Sequence, residues 1–198
     1  MRLSRVLVLV DMQDDFLSAE GLVPHREKLV EAAGRLLDDC RSKGVPVVHV
    51  WTTIDRELDN RMPHWKESGT WKCVRGTPGH EPPERLRPKK DERIVHKSFH
   101  SAFSVPEFDI SLNELSVDGM LLAGVHLYAC IRATALDAYA RGWEVAIARE
   151  ACGSDDPAHA SVTKAFLEYC GINFWQGVEY EVSAERAGEA AINPEADI

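Results

Sequence analysis

Continuous apolar segments that alternate with amphipathic segments dominate this chain and restrict the folds open to it. RVLVLVD at residues 5–11 is a run of leucine and β-branched residues, which is typical of a strand covered on both faces. Residues 25–42 show the spacing of an amphipathic helix, which Gly44 would end. VPVVHVW at residues 45–51 predicts a second buried strand, so the chain begins as a strand–helix–strand unit.

The same alternation continues along the chain. Further strands are predicted at residues 93–96, 119–123, 143–148 and 178–182. Further helices are predicted at residues 110–115, 130–141 and 158–170. Because strands that alternate with helices form parallel sheets with right-handed crossovers, helices are expected on both faces. The predicted fold is α/β, with three αβα layers around a mostly parallel, doubly wound (Rossmann-like) sheet of about six strands.

Residues 52–90 interrupt this pattern and hold five prolines together with Trp65 and Trp71. Irregular connections of this length are uncommon inside a compact domain and usually serve function. A passive surface excursion is the alternative, but the two tryptophans favour a pocket wall. The length of 198 residues fits a single domain over residues 1–198, with a pocket-forming insertion at about 52–90 and an acidic tail at about 184–198.

The composition indicates the partners and the compartment. The formal net charge is −9, which argues against nucleic acid or an anionic membrane because phosphates repel an acidic surface. The apolar start of the chain is too short for a signal peptide or a membrane span. Five cysteines without a C-x-x-C pair favour free thiols in a reducing cytoplasm. We therefore expect a cytoplasmic protein with a small-molecule substrate and, since no G-x-G-x-x-G or Walker loop occurs, no cofactor.

Three reactive side chains follow predicted strands. Asp11 ends the first strand, Lys97 follows the strand that ends at His96, and Cys130 opens a predicted helix. The carboxyl ends of parallel strands meet at one edge of the sheet, where ligands bind. A thiolate forms more readily near a cation and at a helix N-terminus, and Asp11 could take the thiol proton. Taken singly, a turn-forming aspartate, a solvated lysine and an inert packed thiol are simpler readings.

Longer motifs strengthen this hypothesis. They are VDMQDDF at residues 10–16, GTPG at 76–79, HKSFHSAF at 96–103 and AGVHLYACIRATALDAYARGW at 123–143. With these motifs the chain resembles the isochorismatase-like cysteine hydrolases, which include nicotinamidases, N-carbamoylsarcosine amidases, maleamate amidases and ureidoacrylate hydrolases. The resemblance extends over residues 7–181 and implies attack of a cysteine on an amide, ureido or carbamoyl carbonyl, through a thioester.

The resemblance also implies roles for individual residues. Asp11, Lys97 and Cys130 fall on the family's catalytic aspartate, lysine and cysteine. The bond between Val125 and His126 falls on a non-proline cis peptide, which would direct the His126 N–H toward the oxyanion together with the Cys130 N–H. The expected substrate contacts, with Trp65 added from the insertion, are Gln13, Phe16, Trp65, Phe103 and Tyr128. A structural role for Phe103 is an equal alternative.

Several alternatives stay open within this resemblance. True isochorismatases generally lack the cysteine, so the amidase side is favoured, and CIRATALDA with AREACGS is most similar to the N-carbamoylsarcosine and maleamate amidase branch. Asp155 stands where that branch often has a carboxylate-binding arginine, so either Arg132 or Arg75 replaces it or the substrate is not an acid. The family commonly forms homodimers or homotetramers, and we expect a homo-oligomer.

The ligands of a nicotinamidase metal site are not reproduced in the sequence. The matching residues are Asp55, Glu57 and His64, which are interpreted as part of a solvated loop, so no metal is expected. Three rival hypotheses remain: a Cys–His hydrolase with His100 or His126 as its base, a catalytically silent binding or scaffold protein, and a metal-assisted nicotinamidase.

Overall fold

The computed structural model describes residues 5–175. Its strands are β1 (Arg5–Val10), β2 (Val47–Thr52), β3 (Arg93–Lys97), β4 (Gly119–Val125), β5 (Glu144–Gly153) and β6 (Asn173–Trp175). Its α-helices are α1 (Asp14–Leu17), α2 (Arg26–Ser42), α3 (Pro63–Glu67), α4 (Pro106–Leu115), α5 (Arg132–Ala140) and α6 (Pro157–Tyr169). Single 3₁₀ turns occur at Pro78–His80, Glu84–Leu86 and Ala102–Ser104, and one π-helical turn at Leu127–Ile131. The predicted strand at 178–182 and the tail at 184–198 lie outside the described residues.

The six described strands form one parallel sheet in the order β3-β2-β1-β4-β5-β6. Side chains of a strand alternate between its two faces. In β1, Leu7 and Leu9 pack with the buried face of α2, whereas Val6, Val8 and Val10 pack with α4, α5 and α6. The prediction of a three-layer, doubly wound α/β fold is therefore confirmed. None of the helices in residues 5–175 is long and apolar enough to cross a membrane.

Several elements begin or end away from their predicted positions. Helix α4 begins at Pro106 rather than at residue 110, because a proline in the first turn loses no hydrogen bond. The helical stretch around Cys130 begins three residues earlier than predicted, with the π-helical turn at Leu127–Ile131, so Cys130 lies inside this turn. Helices α1 and α3 are too short for hydrophobic periodicity to reveal them.

The order of the strands reverses between β1 and β4, and this switch point positions the site. Ligands of doubly wound sheets bind in the crevice beyond the carboxyl ends of the strands at such a point. The two strands approach closely here because residue 124 is glycine, with a φ of +137°. A Cβ on Gly124 would lie 1.9 Å from the carbonyl oxygen of Val10. The same approach places Asp11, the next residue, beside the end of β4.

Candidate active site

Asp11, Lys97 and Cys130 lie together at the carboxyl edge of the sheet. The Lys97 Nζ donates a hydrogen bond to Asp11 Oδ2 at 2.8 Å and lies 3.7 Å from Cys130 Sγ. The side chains of Asp11 and Lys97 are fully buried, and Cys130 is 6% exposed. These residues come from the end of β1, the end of β3 and the turn after β4. A carboxylate, an ammonium group and a thiol therefore lie together in one buried site.

Thr52, the last residue of β2, completes this group and was not predicted. Its backbone N–H and its hydroxyl donate to Asp11 Oδ1 at 2.8 and 2.9 Å, while its hydroxyl oxygen accepts from Lys97 Nζ at 2.9 Å. Asp11 has a φ of +56°, a left-handed conformation that aspartate tolerates better than most residues. Its position at the end of a strand could have identified Thr52 in the sequence, because Asp11 follows β1 and Lys97 ends β3, the two strands on either side of β2.

The cysteine is a protonated thiol in the resting site. Burial raises the pKa of Cys130 well above its usual value, the charge of Asp11 raises it further, and Lys97 only partly opposes them. Burial alone would lower the pKa of Lys97, but the charge of Asp11 and hydrogen bonds to Asp11 and Cys130 raise it. Lys97 therefore stays an ammonium. Burial, which the sequence alone does not reveal at this position, has a larger influence on the pKa of the Cys130 thiol than the cation has.

Two histidines were rival candidates for a catalytic base, and the structure separates them. His100 Nδ1 lies 3.7 Å from Cys130 Sγ. Burial, followed by the charge of Lys97, lowers the pKa of His100, so its ring is neutral at neutral pH. His126 instead lies with Nδ1 3.2 Å from Asp155 Oδ1 and packs edge-on against Phe16. His100 is thus the histidine that contacts the thiol.

The segment between β4 and α5 contains the cis peptide bond that the resemblance implied. The peptide bond between Val125 and His126 is cis. The His126 carbonyl then accepts hydrogen bonds from the N–H groups of Ala129 at 3.0 Å and Ile131 at 3.3 Å, which closes the turn that carries Cys130.

A cavity of about 720 Å³ opens over Cys130. Phe16, Trp65 and Tyr128, which are predicted to contact the substrate, line this cavity. The insertion also contributes lining residues that the sequence did not single out, namely Met62, Ser68, Thr70 and Lys72. Trp71 does not belong to the wall, because it packs outside under the guanidinium of Arg61 at 3.7 Å. A volume of this size is typical of small-molecule sites.

Gln13 and Phe103 are not among the residues that line this cavity, which does not support the prediction that they contact substrate and favours the structural alternative for Phe103. The Gln13 amide nitrogen donates to the carbonyl oxygens of Thr52 and His80, both at 2.8 Å, and its oxygen accepts the Thr52 N–H at 2.8 Å. Both N–H groups of this amide and its oxygen are used to join the segment after β1 to β2 and to the insertion. Phe103 packs edge-on against Phe108 with ring centroids 4.8 Å apart, which is a role in the core.

Of the charged residues considered for substrate recognition, two line the cavity and one does not. Asp155 lines the cavity but accepts a hydrogen bond from the Tyr128 hydroxyl at 3.1 Å and lies beside His126. Arg132 lines the cavity, whereas Arg75 is exposed elsewhere.

Asp55, Glu57 and His64 do not form a metal-ligand set. Asp55 Oδ1 accepts the backbone N–H groups of Glu57 at 2.8 Å and Leu58 at 3.1 Å, so it closes a local turn. His64 stacks on His100 at the cavity, with ring centroids 6.0 Å apart. Among residues 5–175, no group of three histidine, cysteine or acidic side chains is arranged to hold a metal ion. The donor set of a nicotinamidase metal site is not reproduced in this part of the chain.

Curated relatives support a single family. The chain is 29% identical over 168 residues to a maleamate amidohydrolase of Pseudomonas putida, a match that covers 79% of this chain and 76% of the relative. It is 26% identical to a nicotinamidase of Escherichia coli, with 83% of this chain and 90% of the relative covered. It is 28% identical to an N-carbamoylsarcosine amidase of Arthrobacter over 70% of this chain and 52% of the relative.

Solved structures have the same architecture. An isochorismatase family protein from Desulfovibrio vulgaris superposes with a TM-score of 0.78 at 30% identity, over 87% of this chain and 93% of its own. An N-carbamoylsarcosine amidase from Thermoplasma acidophilum superposes with a TM-score of 0.77 at 26% identity, over 90% of this chain and 99% of its own. The family model of the isochorismatase domain matches residues 5–172, so the chain belongs to the isochorismatase family.

Proposed function

We propose that the protein is an amidohydrolase that cleaves the C–N bond of a small, non-peptide amide, ureido or carbamoyl compound, with Cys130 as nucleophile. The observation that carries this proposal is the contact of Lys97 Nζ with both the Asp11 carboxylate and the Cys130 sulfur beneath a cavity of about 720 Å³. Relatives named maleamate amidohydrolase, N-carbamoylsarcosine amidase and nicotinamidase support cleavage of this type of bond.

The first half-reaction transfers the acyl group to the enzyme. As the Cys130 sulfur bonds to the substrate carbonyl carbon, its proton passes to the Asp11 carboxylate, which lies beside the thiol because Lys97 Nζ contacts both groups. The carbonyl oxygen becomes an oxyanion, for which the N–H groups of His126 and Cys130 are the proposed donors. The C–N bond then breaks, Asp11 returns the proton to the nitrogen, and ammonia or an amine leaves.

The second half-reaction releases the acid. Asp11, again a carboxylate, takes a proton from water while the water oxygen bonds to the thioester carbon. The C–S bond breaks, and the proton on Asp11 passes to the leaving sulfur. The net change is the addition of one water molecule across the C–N bond, and the site returns to its resting state.

Lys97 provides charge rather than a proton in this scheme. Its raised pKa keeps it an ammonium throughout. When Asp11 has taken the thiol proton, the positive charge of Lys97 is no longer neutralised by Asp11 and acts on the developing thiolate 3.7 Å away. The buried site therefore keeps a stable thiol at rest and stabilises the thiolate only during the reaction.

Ammonia release from a panel of small amides, ureido acids and carbamoyl compounds tests the proposal. We expect turnover of at least one compound, complete loss in Cys130→Ala, and a covalent acyl adduct on Cys130 by mass spectrometry after rapid quenching. Cys170→Ala is the matched control, because Cys170 is a half-buried thiol that does not line the cavity. Turnover that survives in Cys130→Ala would refute the thioester mechanism, and inactivity of the wild-type protein against the whole panel would favour a silent binding protein.

The cytoplasmic location and the homodimer or homotetramer remain predictions. Sedimentation velocity at micromolar concentration measures the oligomeric state directly. A monomer at that concentration would contradict the expectation of a homo-oligomer.

A further inference from the structure

We propose that the substrate carries a carboxylate in addition to its scissile amide, and that the Lys72 ammonium binds this carboxylate, with Arg132 as a second cation of the same cavity. The inference rests on the proposed function for the scissile bond, but it concerns a different part of the site. Neither residue belongs to the group formed by Asp11, Lys97 and Cys130.

Lys72 is a half-buried cation of the cavity wall. Its Nζ lies 5.9 Å from the ring centroid of Phe16, which lines the same cavity. It is also close enough to His126 to contribute, after burial, to the lowered pKa of that ring. Among residues 5–175 no carboxylate lies within ion-pair distance of Lys72. A partly desolvated ammonium without a counter-ion is costly, and a bound anion would remove that cost.

Arg132 is the second unbalanced charge. It is half-buried, lines the cavity at the start of α5, and its guanidinium lies 5.3 Å from the ring centroid of Phe166. No acidic side chain of the described chain forms an ion pair with it. Stacking on an aromatic ring leaves the N–H edge of a guanidinium free, and this edge matches the geometry of a carboxylate.

Asp155, the one acidic residue among the described residues that line the cavity, offsets only one of these two positive charges. The Asp155 carboxylate accepts from the Tyr128 hydroxyl and lies 3.2 Å from His126 Nδ1. Beneath the cavity, Asp11 and Lys97 neutralise each other. Lys72 and Arg132 therefore leave the lining with a net positive charge in a chain whose formal net charge is −9. The sign of the cavity is opposite to that of the whole protein, which selects anionic substrates.

A carboxylate bound to Lys72 would also be stabilised by the positive charge of Arg132 in the same cavity. Pairs of substrates that differ only in the carboxylate can therefore measure how much the carboxylate contributes to kcat/KM. Succinamate and succinamide differ only in a carboxylate replaced by an amide, and glutaramate and glutaramide form the same pair with one more methylene group. We expect the wild-type enzyme to prefer the acid of at least one pair by about tenfold or more in kcat/KM per amide group.

The variant Lys72→Met removes the charge and keeps the length of the side chain. We expect it to lower kcat/KM for the acid by about tenfold or more, mainly through KM, and to change the diamide by less than about threefold. Arg132→Met should show a smaller loss of the same kind. Lys66→Met is the control, because Lys66 is an exposed lysine of the same insertion that does not line the cavity.

Binding without turnover separates this inference from the proposed function. Calorimetry with Cys130→Ala and malonate, succinate and glutarate should show binding of at least one dicarboxylate, weakened about tenfold or more when Lys72→Met is added. If no amide is hydrolysed but this dependence on Lys72 is found, only the proposed function fails. Equal turnover of acid and diamide by the wild-type enzyme, equal losses for both in Lys72→Met, or no dicarboxylate binding would overturn the inference.

Discussion

Replacement of Lys97 by methionine tests the proposed chemistry most directly. The Nζ of Lys97 lies 3.7 Å from Cys130 Sγ. At an effective dielectric constant of about 20, a unit positive charge at this distance stabilises a thiolate by about 4 kcal/mol. Each 1.4 kcal/mol corresponds to about a factor of ten in rate, so we expect kcat/KM to fall by about 10³-fold.

The stability of this variant needs its own control. Asp11 and Lys97 are both fully buried, and removal of one partner of a buried ion pair costs about 3–5 kcal/mol because the other charge is left uncompensated. We expect the double variant Asp11→Asn/Lys97→Met to recover much of this loss in urea unfolding while it stays inactive. Comparison of the two variants therefore separates the loss of stability caused by an unpaired buried charge from the loss of catalytic activity.

The assay is steady-state ammonia release by variants shown to be folded under the same conditions by circular dichroism. A folded Lys97→Met protein that keeps kcat/KM within about tenfold of the wild type would refute the role assigned to the ammonium. That result, together with inactivity of His100→Gln, would identify a Cys–His mechanism instead.

The remaining predictions concern the neighbouring histidine, the switch point and one partly buried acid. His100→Gln should lower kcat less than about tenfold and leave the pH profile unchanged, since the proton passes to Asp11; a loss of about 10³-fold would contradict this. Gly124→Ala should cost at least about 3 kcal/mol in urea unfolding, because its Cβ would meet the Val10 carbonyl oxygen at 1.9 Å, whereas Gly171→Ala, also at positive φ but in open space, should cost about 1 kcal/mol. Burial alone would raise the pKa of Glu92, but hydrogen bonds led by the one from Arg41 lower it to about 2. Glu92 therefore contributes stability above its unfolded pKa, and this is lost as pH falls through about 2. Glu92→Gln should cost roughly 3 kcal/mol at pH 7 and progressively less as the pH falls from about 4.5 toward 2; a constant cost would refute the assignment.

Much of the framework could be predicted because its signals are local. A strand buried on both faces needs an uninterrupted apolar run. The segment RVLVLVD contains such a run, so the strand can be recognised from these few residues alone. The positions of Asp11 and Lys97 relative to their strands follow from the same local pattern. In a parallel sheet this is enough to place both residues at one edge.

The wall of the cavity could not be predicted in this way. Residues 52–90 have no period, and their path depends on contacts with distant parts of the chain. The Asp15 carboxylate accepts the Cys73 N–H at 2.6 Å, and the Gln13 amide reaches the His80 carbonyl at 2.8 Å. These contacts assign Gln13 to holding the wall, and they place Lys72, next to Cys73, on the cavity.

The amino-acid sequence by itself determined the α/β class and the likeness to one hydrolase family, because hydrophobic periodicity and short motifs depend only on nearby residues. The tertiary structure decided which side chains meet. It brought Thr52 to Asp11 and Lys97, placed Phe103 in the core, and buried Cys130 deeply enough to keep its thiol protonated. Burial and charge at a site depend on elements that are far apart along the chain, so they are set only when the sheet and its insertion have assembled.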